Sequence, residues 1–341
     1  MIKKFIYSIT ALLIVMTLAV IYLSTVGIKT TKLNNNITFK IKETYPKLNF
    51  QLDSINLILN PINLTIQLKT QNPKIKFEDK EVSIKEVSTN YNLISFLKKD
   101  FGIKNVFLRS EKNKIEDILQ LIRTNKDNVK IYLLQKILKD GDITLSAKVY
   151  FDEKGKIKKN YEIFGKIENL SFKLLDKTEF KEASTNFIYK EKNLRLENTA
   201  FEYLNSKIES KRVEILEKNN LFFVSGDFNN NYSNIDKKIL NIFFKKNFFK
   251  DLIISSENEF NLIVSKKFKV TNIKLESTID LKQASINYIN KNLRKFFINY
   301  NDKVKFKNHI IKLKYDKGLY FEGSGKIIIN NEADEINYKF K

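Results

Sequence analysis

The residue types that could carry out catalysis or bind a metal are scarce in this sequence. His309, within KFKNHIIKLKY, is the single histidine of the 341 residues, and there is no cysteine. Because conventional zinc sites use several Cys and His ligands, these counts argue against a zinc centre and favour a histidine that is hydrogen-bonded within a strand. The sequence also lacks a phosphate-binding loop, a dinucleotide fingerprint and the GxSxG and HExxH motifs.

Two other groups resemble reactive sites. Glu116 and Asp117 open a predicted helix, where the helix dipole stabilises carboxylates, and we assign them no acid–base role. Gly323-Ser324-Gly325 lies between predicted strands and predicts a turn. We therefore predict a protein that is not an enzyme and has no catalytic, cofactor-binding or metal-binding residues.

The strong positive charge does not by itself predict nucleic-acid binding. The formal net charge is +22, but nearly all of the basic residues are lysines. Arginine supplies the bidentate contacts that recognise phosphates and base edges, and the lysines here are spread over the polar positions of predicted strands. This spread favours a solvated face and no nucleic-acid partner, and it leaves attraction to anionic lipid headgroups open.

An uninterrupted apolar run, Phe5 to Ile28, follows the N-terminal MIKK. As a helix it would span about 36 Å, enough to cross a hydrocarbon core of about 30 Å. A cleaved signal peptide is the alternative, but its apolar core would be shorter, and Ser24-Thr25-Val26-Gly27 is a poor cleavage site. We predict a cytoplasmic N-terminus at residues 1–4, a transmembrane anchor at 5–28 and the remainder on the far side of the membrane, although lysines on both flanks weaken the charge asymmetry.

Alternating apolar residues begin after the anchor, in FQLDSINLILNPINLTIQLKT. This alternation has the period of a β-strand and places the apolar side chains on one face. We predict strands at Leu52–Leu59 and Ile62–Thr70, joined by a turn at Asn60-Pro61. A second alternating run starts after Gly141, which we interpret as the C-cap of a preceding helix. The candidate residues lining the apolar face are Leu57, Leu59, Ile62, Leu64, Ile66, Leu68, Ile143, Leu145 and Val149, and which strand parity faces inward is left open.

Predicted helices are few in the remainder of the chain. Residues 33–48 fit either a short amphipathic helix or a strand, and helical spacing predicts helices at Lys114–Arg123 and Val129–Lys139. Another helix is predicted at Ile235–Lys250, which would pack on the sheet or contact a membrane or lipid. Its aromatic residues among lysines are Phe243, Phe244, Phe248 and Phe249.

A sheet with one apolar face must cover that face, and the predicted helices are too few and too short to do so. Either the sheet curls until its apolar face closes into a core, or it stays open as a groove filled by something apolar that is not protein. Composition alone favours the closed core, because buried β-structure is far commoner than an empty groove.

The order of elements from Val26 to Ile122 resembles the opening of the AsmA-like family. The resemblance is carried by an N-terminal transmembrane helix, paired alternating strands, the Asn72-Pro73 break and the Leu93–Leu97 turn, followed by a strand that leads to a helix at Ile115. Beyond Gly141 the likeness is looser and is carried by long strands such as KIENLSFKLLDKTEF and GLYFEGSGKIIIN.

The resemblance implies a protein of the bacterial inner membrane, single-pass, with the bulk of the chain in the periplasm. It implies a mostly β fold with a few helices, in which an elongated, twisted, largely antiparallel sheet forms a hydrophobic groove like that of bridge-like lipid-transfer proteins. We assign residues 29–141 to the N-terminal AsmA-like strands and helices and 142–341 to the groove. The expected partners are membrane phospholipids, with envelope assembly proteins as a further class.

We therefore predict that the sheet binds phospholipid acyl chains and contributes to lipid transport or outer-membrane biogenesis. The alternative is a non-enzymatic structural or adaptor protein in outer-membrane protein assembly, which would offer strand edges to clients. An enzyme acting on envelope polysaccharide is a weaker rival, because no convergent acid pair is evident. Being short for the family, the chain would need a partner, be a truncated member, or act at the inner membrane alone.

Overall fold

The computed structural model describes residues 2–78, 80–98, 102–125, 129–174, 178–203, 206–235, 249–267, 269–288, 291–296 and 302–341. Strands account for 65% of the structure, and they form a large antiparallel sheet that is not closed. The predicted fold class is confirmed: the chain is mostly β, with a few helices and an apolar helix at its N-terminus.

Six helices lie in the described residues. They are α1 (Ile2–Thr25), α2 (Asn34–Thr44), α3 (Leu93–Lys98), α4 (Ile115–Asn125), α5 (Val129–Ile137) and α6 (Lys291–Phe296).

The first nine strands vary in length from two residues (β8) to 13 (β6 and β9). They are β1 (Ile28–Thr30), β2 (Asn49–Gln51), β3 (Ser54–Asn60), β4 (Thr65–Gln71), β5 (Lys74–Phe77), β6 (Lys80–Asn92), β7 (Ile103–Ser110), β8 (Asn113–Lys114) and β9 (Leu138–Tyr150).

The later strands are long and follow one another with few helices between them. They are β10 (Glu162–Leu174), β11 (Thr178–Lys190), β12 (Asn193–Tyr203), β13 (Ser206–Lys218), β14 (Leu221–Asn234), β15 (Phe249–Ser265), β16 (Val270–Asn287), β17 (Lys303–Asp316), β18 (Leu319–Ile329) and β19 (Glu332–Phe340).

The chain divides into two compact units, Met1–Lys166 and Ile167–Lys341, with the division inside β10. We call them unit 1 and unit 2. The boundary predicted from the sequence, between residues 141 and 142, lies inside β9.

Helix α1 ends at Thr25, three residues before the predicted end of the anchor. The amides of Val26 and Gly27 both donate to the Tyr22 carbonyl, at 2.9 and 3.1 Å, which closes the helix. Gly27 has φ +74, and a Cβ at this position would lie 2.4 Å from the Leu57 carbonyl oxygen. Only glycine fits this left-handed turn and close approach without strain, so the chain leaves the helix and enters β1 at Ile28. The segment Lys3–Thr25 is long and apolar enough to cross a membrane.

Unit 1 is built on an antiparallel sheet in the order β1–β3–β4–β6–β7–β9. A smaller ladder joins β2 and β5 to the start of β6. The predicted hairpin of β3 and β4 is confirmed, with Leu57 opposite Leu68 and Leu59 opposite Ile66. Residues 33–48, whose pattern fits either a helix or a strand, contain α2, which contacts β2. Ile37 and Ile41 lie one turn apart on this helix and are half-buried.

A compact core occupies one end of unit 1, where α4 packs against β6, β8 and β9. Its members are apolar side chains with at most 9% of their surface exposed, namely Phe50, Ile55, Phe77, Val82, Ile84, Ile115, Ile118, Leu119 and Ile143. The helices therefore cover one end of the sheet in unit 1, in line with the limited cover expected from their length.

The predicted strand Ile62–Thr70 is wrong over its first three residues. Pro61 to Leu64 form a four-residue turn, in which the Asn63 amide donates to the Asn60 side-chain oxygen at 3.1 Å and Leu64 has φ +48. The side chain of Asn60 and the missing amide of Pro61 favour a turn over a ladder. Ile62 and Leu64 are exposed at its tip and do not line a strand face.

Two other local predictions change in the structure. Gly141 lies inside β9 and not at a helix end, because α5 already ends at Ile137. Phe249 and Lys250 begin β15, so the predicted helix Ile235–Lys250 is wrong at its last two residues. The aromatic residues at 243, 244 and 248 lie outside the described residues.

Unit 2 is a meander in which each strand from β11 to β18 pairs antiparallel with the next. Most of these strands are joined by connections of two to four residues, which favour pairing between neighbours in the chain. The connections at 235–248 and 288–302 are longer. Asn219-Asn220 and Asn330-Asn331 supply the turns after β13 and β18 with positive φ at both residues, a conformation that asparagine tolerates.

Candidate functional site

The apolar side chains of unit 1 form rows that run across the strands of its sheet. Directly paired residues share one face, so the register places the central row on a single side. This row consists of Ile28, Leu57, Leu68, Thr89, Val106 and Val149. The rows on either side of it are Thr30, Ile55, Thr70, Val87, Leu108 and Ala147, and Leu59, Ile66, Tyr91 and Ile103.

The sequence-predicted site residues divide into three groups by position. Six of them lie on the apolar side of their strands and are half-buried, namely Leu57, Leu59, Ile66, Leu68, Leu145 and Val149. Ile143 is buried in the end core, and Ile62 and Leu64 lie at the hairpin tip. The structure thus places seven of the nine candidates on the apolar side of their strands, with Ile143 covered by the end core, and leaves Ile62 and Leu64 outside the strands.

Exposure along this face differs from that of a covered core. Ile55, Val82 and Ile84, beside the helices, are 1–4% exposed. The central row keeps more accessible surface. Leu57 and Leu68, which have paired strands on both sides, are half-buried, and Ile28 in β1 is 49% exposed. An apolar face with this partial exposure can accept further apolar contact, which is worth about 25 cal/mol per Å² buried.

The opposite face of unit 1 is polar and internally paired. Lys69 and Glu86 form an ion pair at 2.7 Å, and Arg109 lies over the Phe107 ring with 5.5 Å to the centroid. Burial on its own would raise the pKa of Glu86, but hydrogen bonds from Lys69 and Ser88 and the nearby positive charges outweigh it, so that the pKa falls below its usual value. This face accounts for many lysines and fits the predicted solvated side.

Two concave sites in the described residues are lined mainly by polar and charged side chains. One of about 660 Å³ lies in unit 2 and is lined by Asp227, Glu257, Glu259, Lys312 and Lys314, among others. Another, of about 900 Å³, lies in unit 1 between α4, α5 and Lys47. Apolar contact would therefore take place on the open sheet face and not in these cavities.

Unit 2 repeats the pattern of apolar rows on its own strands. One row consists of Tyr189, Leu194, Ile215, Val224, Leu262 and Ile273. The next consists of Phe187, Leu196, Val213, Gly226, Phe260, Leu275, Tyr315 and Leu319.

A polar cluster interrupts these rows on β14, β15 and β16, and sequence reasoning missed it. Asn258 donates to the Phe228 carbonyl at 2.9 Å and to Ser256 Oγ at 2.8 Å, and Ser277 donates to Asn258. Ser256 in turn donates to Asn230 at 2.6 Å. Because these groups satisfy one another, the cost of placing them among apolar residues is small. The sequence does contain a signal for this cluster: Asn and Ser occupy positions of β14 to β16 at which the alternation would place apolar residues.

His309 is 2% exposed and lies within β17. Its Nδ1 is 3.2 Å from the Tyr338 hydroxyl and its Nε2 is 3.1 Å from the Lys326 carbonyl oxygen, which therefore accepts a hydrogen bond from Nε2–H. Burial raises the pKa of Tyr338. Both ring nitrogens have partners, as expected for a hydrogen-bonded strand histidine. In the part of the chain that the structure describes, no cluster of three or more His, Asp or Glu residues is placed to hold a metal.

The prediction of a turn at Gly323-Ser324-Gly325 is wrong, because all three residues lie inside β18. A Cβ at Gly323 would lie 2.6 Å from the Tyr338 hydroxyl oxygen, and one at Gly325 would lie 2.3 Å from His309 Cγ. The glycines make room for aromatic rings that lie across the strand.

We expect Gly325→Ala to destabilise unit 2 by at least about 2 kcal/mol, since the added methyl group overlaps a buried ring that is fixed at both nitrogens. Hydrogen exchange followed by mass spectrometry on peptides of β16 to β18 in the full chain measures this. Gly318→Ala is the matched control, because a Cβ there meets nothing within 4 Å. Equal protection in the two variants would contradict the packing role of Gly325.

No family model, curated protein or solved structure matches the chain. The class that its fold and surface define is a mostly β protein with an apolar N-terminal helix and an antiparallel, unclosed sheet.

Proposed function

We propose that this chain is an inner-membrane-anchored bacterial protein whose apolar sheet face binds phospholipid acyl chains. In this proposal α1 is the anchor, the bulk of the chain is periplasmic, and lipid contact serves transport or outer-membrane biogenesis without a chemical reaction. The observation that carries it is the half-buried central row of unit 1, together with its position directly after a helix that can cross a membrane.

The hydrophobic effect favours contact of the apolar face of unit 1 with acyl chains over its contact with water. Each methylene removed from water is worth about 0.8 kcal/mol. An acyl chain lying along the rows of unit 1 would bury its own methylenes and the accessible surface of Leu57, Leu68 and their neighbours at once. The resemblance of residues 26–122 to AsmA-like proteins adds support, because that family is tied to lipid transport and envelope integrity.

Site-specific photocrosslinking in living bacteria tests the proposal. A photoreactive phenylalanine analogue at Leu68 faces the apolar side, and the same analogue at Gln67 faces the polar side of the same strand. We expect phospholipid adducts at position 68 and none at position 67. The two positions are equally close to α1 in sequence, so lipid around the anchor cannot explain a difference.

An absence of phospholipid adducts at position 68 would overturn the proposal. A protein adduct there in place of phospholipid would also overturn it, because the apolar face would then hold a client protein; the adaptor alternative places such clients on strand edges instead.

A further inference from the structure

The connections at one end of the unit 1 sheet carry exposed apolar side chains. This end, which we call the anchor end, is where α1 joins the sheet: β1 starts at Ile28, opposite Leu57 in the middle of β3, and runs away from the β3–β4 turn, so that α1 precedes it on the turn side. The β3–β4 turn is at the same end, and so is the connection from β6 to β7, because Thr65 pairs with Asn92 and Tyr91 with Ile103.

Two of these connections meet. The Leu93 amide, at the start of α3, donates to the Leu64 carbonyl at 2.9 Å, which fixes α3 against the hairpin tip. Ile62 is 91% exposed at that tip, and Leu64 and Ile94 beside it are also exposed. Isolated exposed apolar residues are normal on protein surfaces, but three on two joined connections next to an apolar helix form a patch.

Positive charge surrounds the patch. Lys29, Lys98 and Lys104 are exposed on β1, α3 and β7 at this end. The β9–β10 connection is also at the anchor end, because Asn105 pairs with Tyr150. It carries four lysines, at 154, 156, 158 and 159, against Asp152 and Glu153, so it remains net positive. Basic residues beside a membrane-spanning helix are attracted to anionic headgroups by about 1 kcal/mol each within a Debye length.

We infer that the anchor end of unit 1 docks on the anionic surface of the membrane that α1 crosses, with Ile62, Leu64 and Ile94 entering the headgroup region. The occupant is a lipid surface, because the patch lies at the end of the sheet where α1 joins it and the lysines around the patch are complementary to acidic phospholipids. The inference rests on the proposed function in one respect, that α1 spans the membrane. It adds that the apolar row containing Leu59 and Ile66, which is the row nearest to the anchor end, is accessible from the bilayer.

Single cysteines can report this directly, since the chain has none of its own. The full chain is reconstituted into vesicles of phosphatidylcholine alone, or of phosphatidylcholine and phosphatidylglycerol in equal amounts, each with a nitroxide-labelled lipid. An environment-sensitive fluorophore is attached to Ile62→Cys. The matched control is Phe39→Cys, also highly exposed (68%) but on α2, which is tied to the opposite end of β3 through Asn34 and the Leu52 and Asp53 carbonyls.

We expect quenching at position 62 to be several-fold stronger than at position 39, and stronger in the vesicles that contain phosphatidylglycerol. Equal quenching at 62 and 39 would overturn the inference, and equal quenching at 62 in the two lipid mixtures would overturn the role of the lysines. A label at Val15→Cys, within α1, distinguishes the two proposals. If this label is not quenched, α1 does not span the membrane and the proposed function is overturned. If it is quenched and the label at position 62 is not, only the docking inference is overturned.

Discussion

Replacing Leu68 by glutamate is expected to lower the phospholipid bound by the full chain at least about tenfold. Leu68 lies at the centre of the unit 1 row, between Leu57 and Thr89 on the neighbouring strands. An acyl chain in contact with a carboxylate at this position would remove part of the water that hydrates the carboxylate. Without a compensating partner, this desolvation costs several kcal/mol. That cost exceeds the roughly 1.4 kcal/mol that corresponds to one factor of ten in affinity.

Native mass spectrometry of the detergent-solubilised chain measures the number of retained phospholipids per protein. Gln67→Glu is the matched control, since it introduces the same charge one residue away on the polar face. Lipid retained by α1 is common to both variants and cancels in the comparison. Equal lipid content in Leu68→Glu and Gln67→Glu would contradict binding at the apolar face. Hydrogen exchange in unit 1 checks that both variants are folded, which half-buried positions permit.

Replacing Phe77 by alanine is expected to have the largest effect on stability, lowering the free energy of unfolding of unit 1 by about 3–5 kcal/mol. Phe77 is 1% exposed at the end of β5, in the core that α4 and the β5–β6 hairpin share. Removing its ring leaves a cavity in the part of unit 1 where α4 covers the sheet. Because this core is small, other side chains cannot make up the lost contact.

Urea unfolding of the full chain in detergent, followed by hydrogen exchange on peptides from each unit, separates this loss from any change in unit 2. Phe39→Ala removes the same ring from an exposed position on α2 and should shift stability by no more than about 0.5 kcal/mol. A similar, small shift for Phe77→Ala would mean that the end core does not stabilise unit 1.

Much of the fold could be predicted from local sequence patterns. The period-two alternation of FQLDSINLILN and TIQLKT identified β3, β4 and their shared apolar face, and the uninterrupted apolar run identified α1. These features depend on the geometry of each element alone, in which side chains alternate along a strand and an apolar helix has no polar face.

Features that depend on long-range partners could not be predicted in this way. Gly323 and Gly325 have the composition of a turn, but they lie in β18 because the rings of Tyr338 and His309 occupy the space that side chains would fill. The pattern of residues 33–48 fits either a helix or a strand, and only the tertiary structure shows a helix, α2, in contact with β2.

The sequence by itself determined that the chain has an apolar N-terminal helix and many strands with one apolar face, because both follow from spacing along a single element. The tertiary structure decided which of those apolar residues lie side by side. Ladder register placed Leu57, Leu68, Val106 and Val149 in one row, sent Ile143 into the end core and left Ile62 and Leu64 at an exposed tip. Register is a relation between strands distant in sequence, and the pattern within any one strand does not contain it.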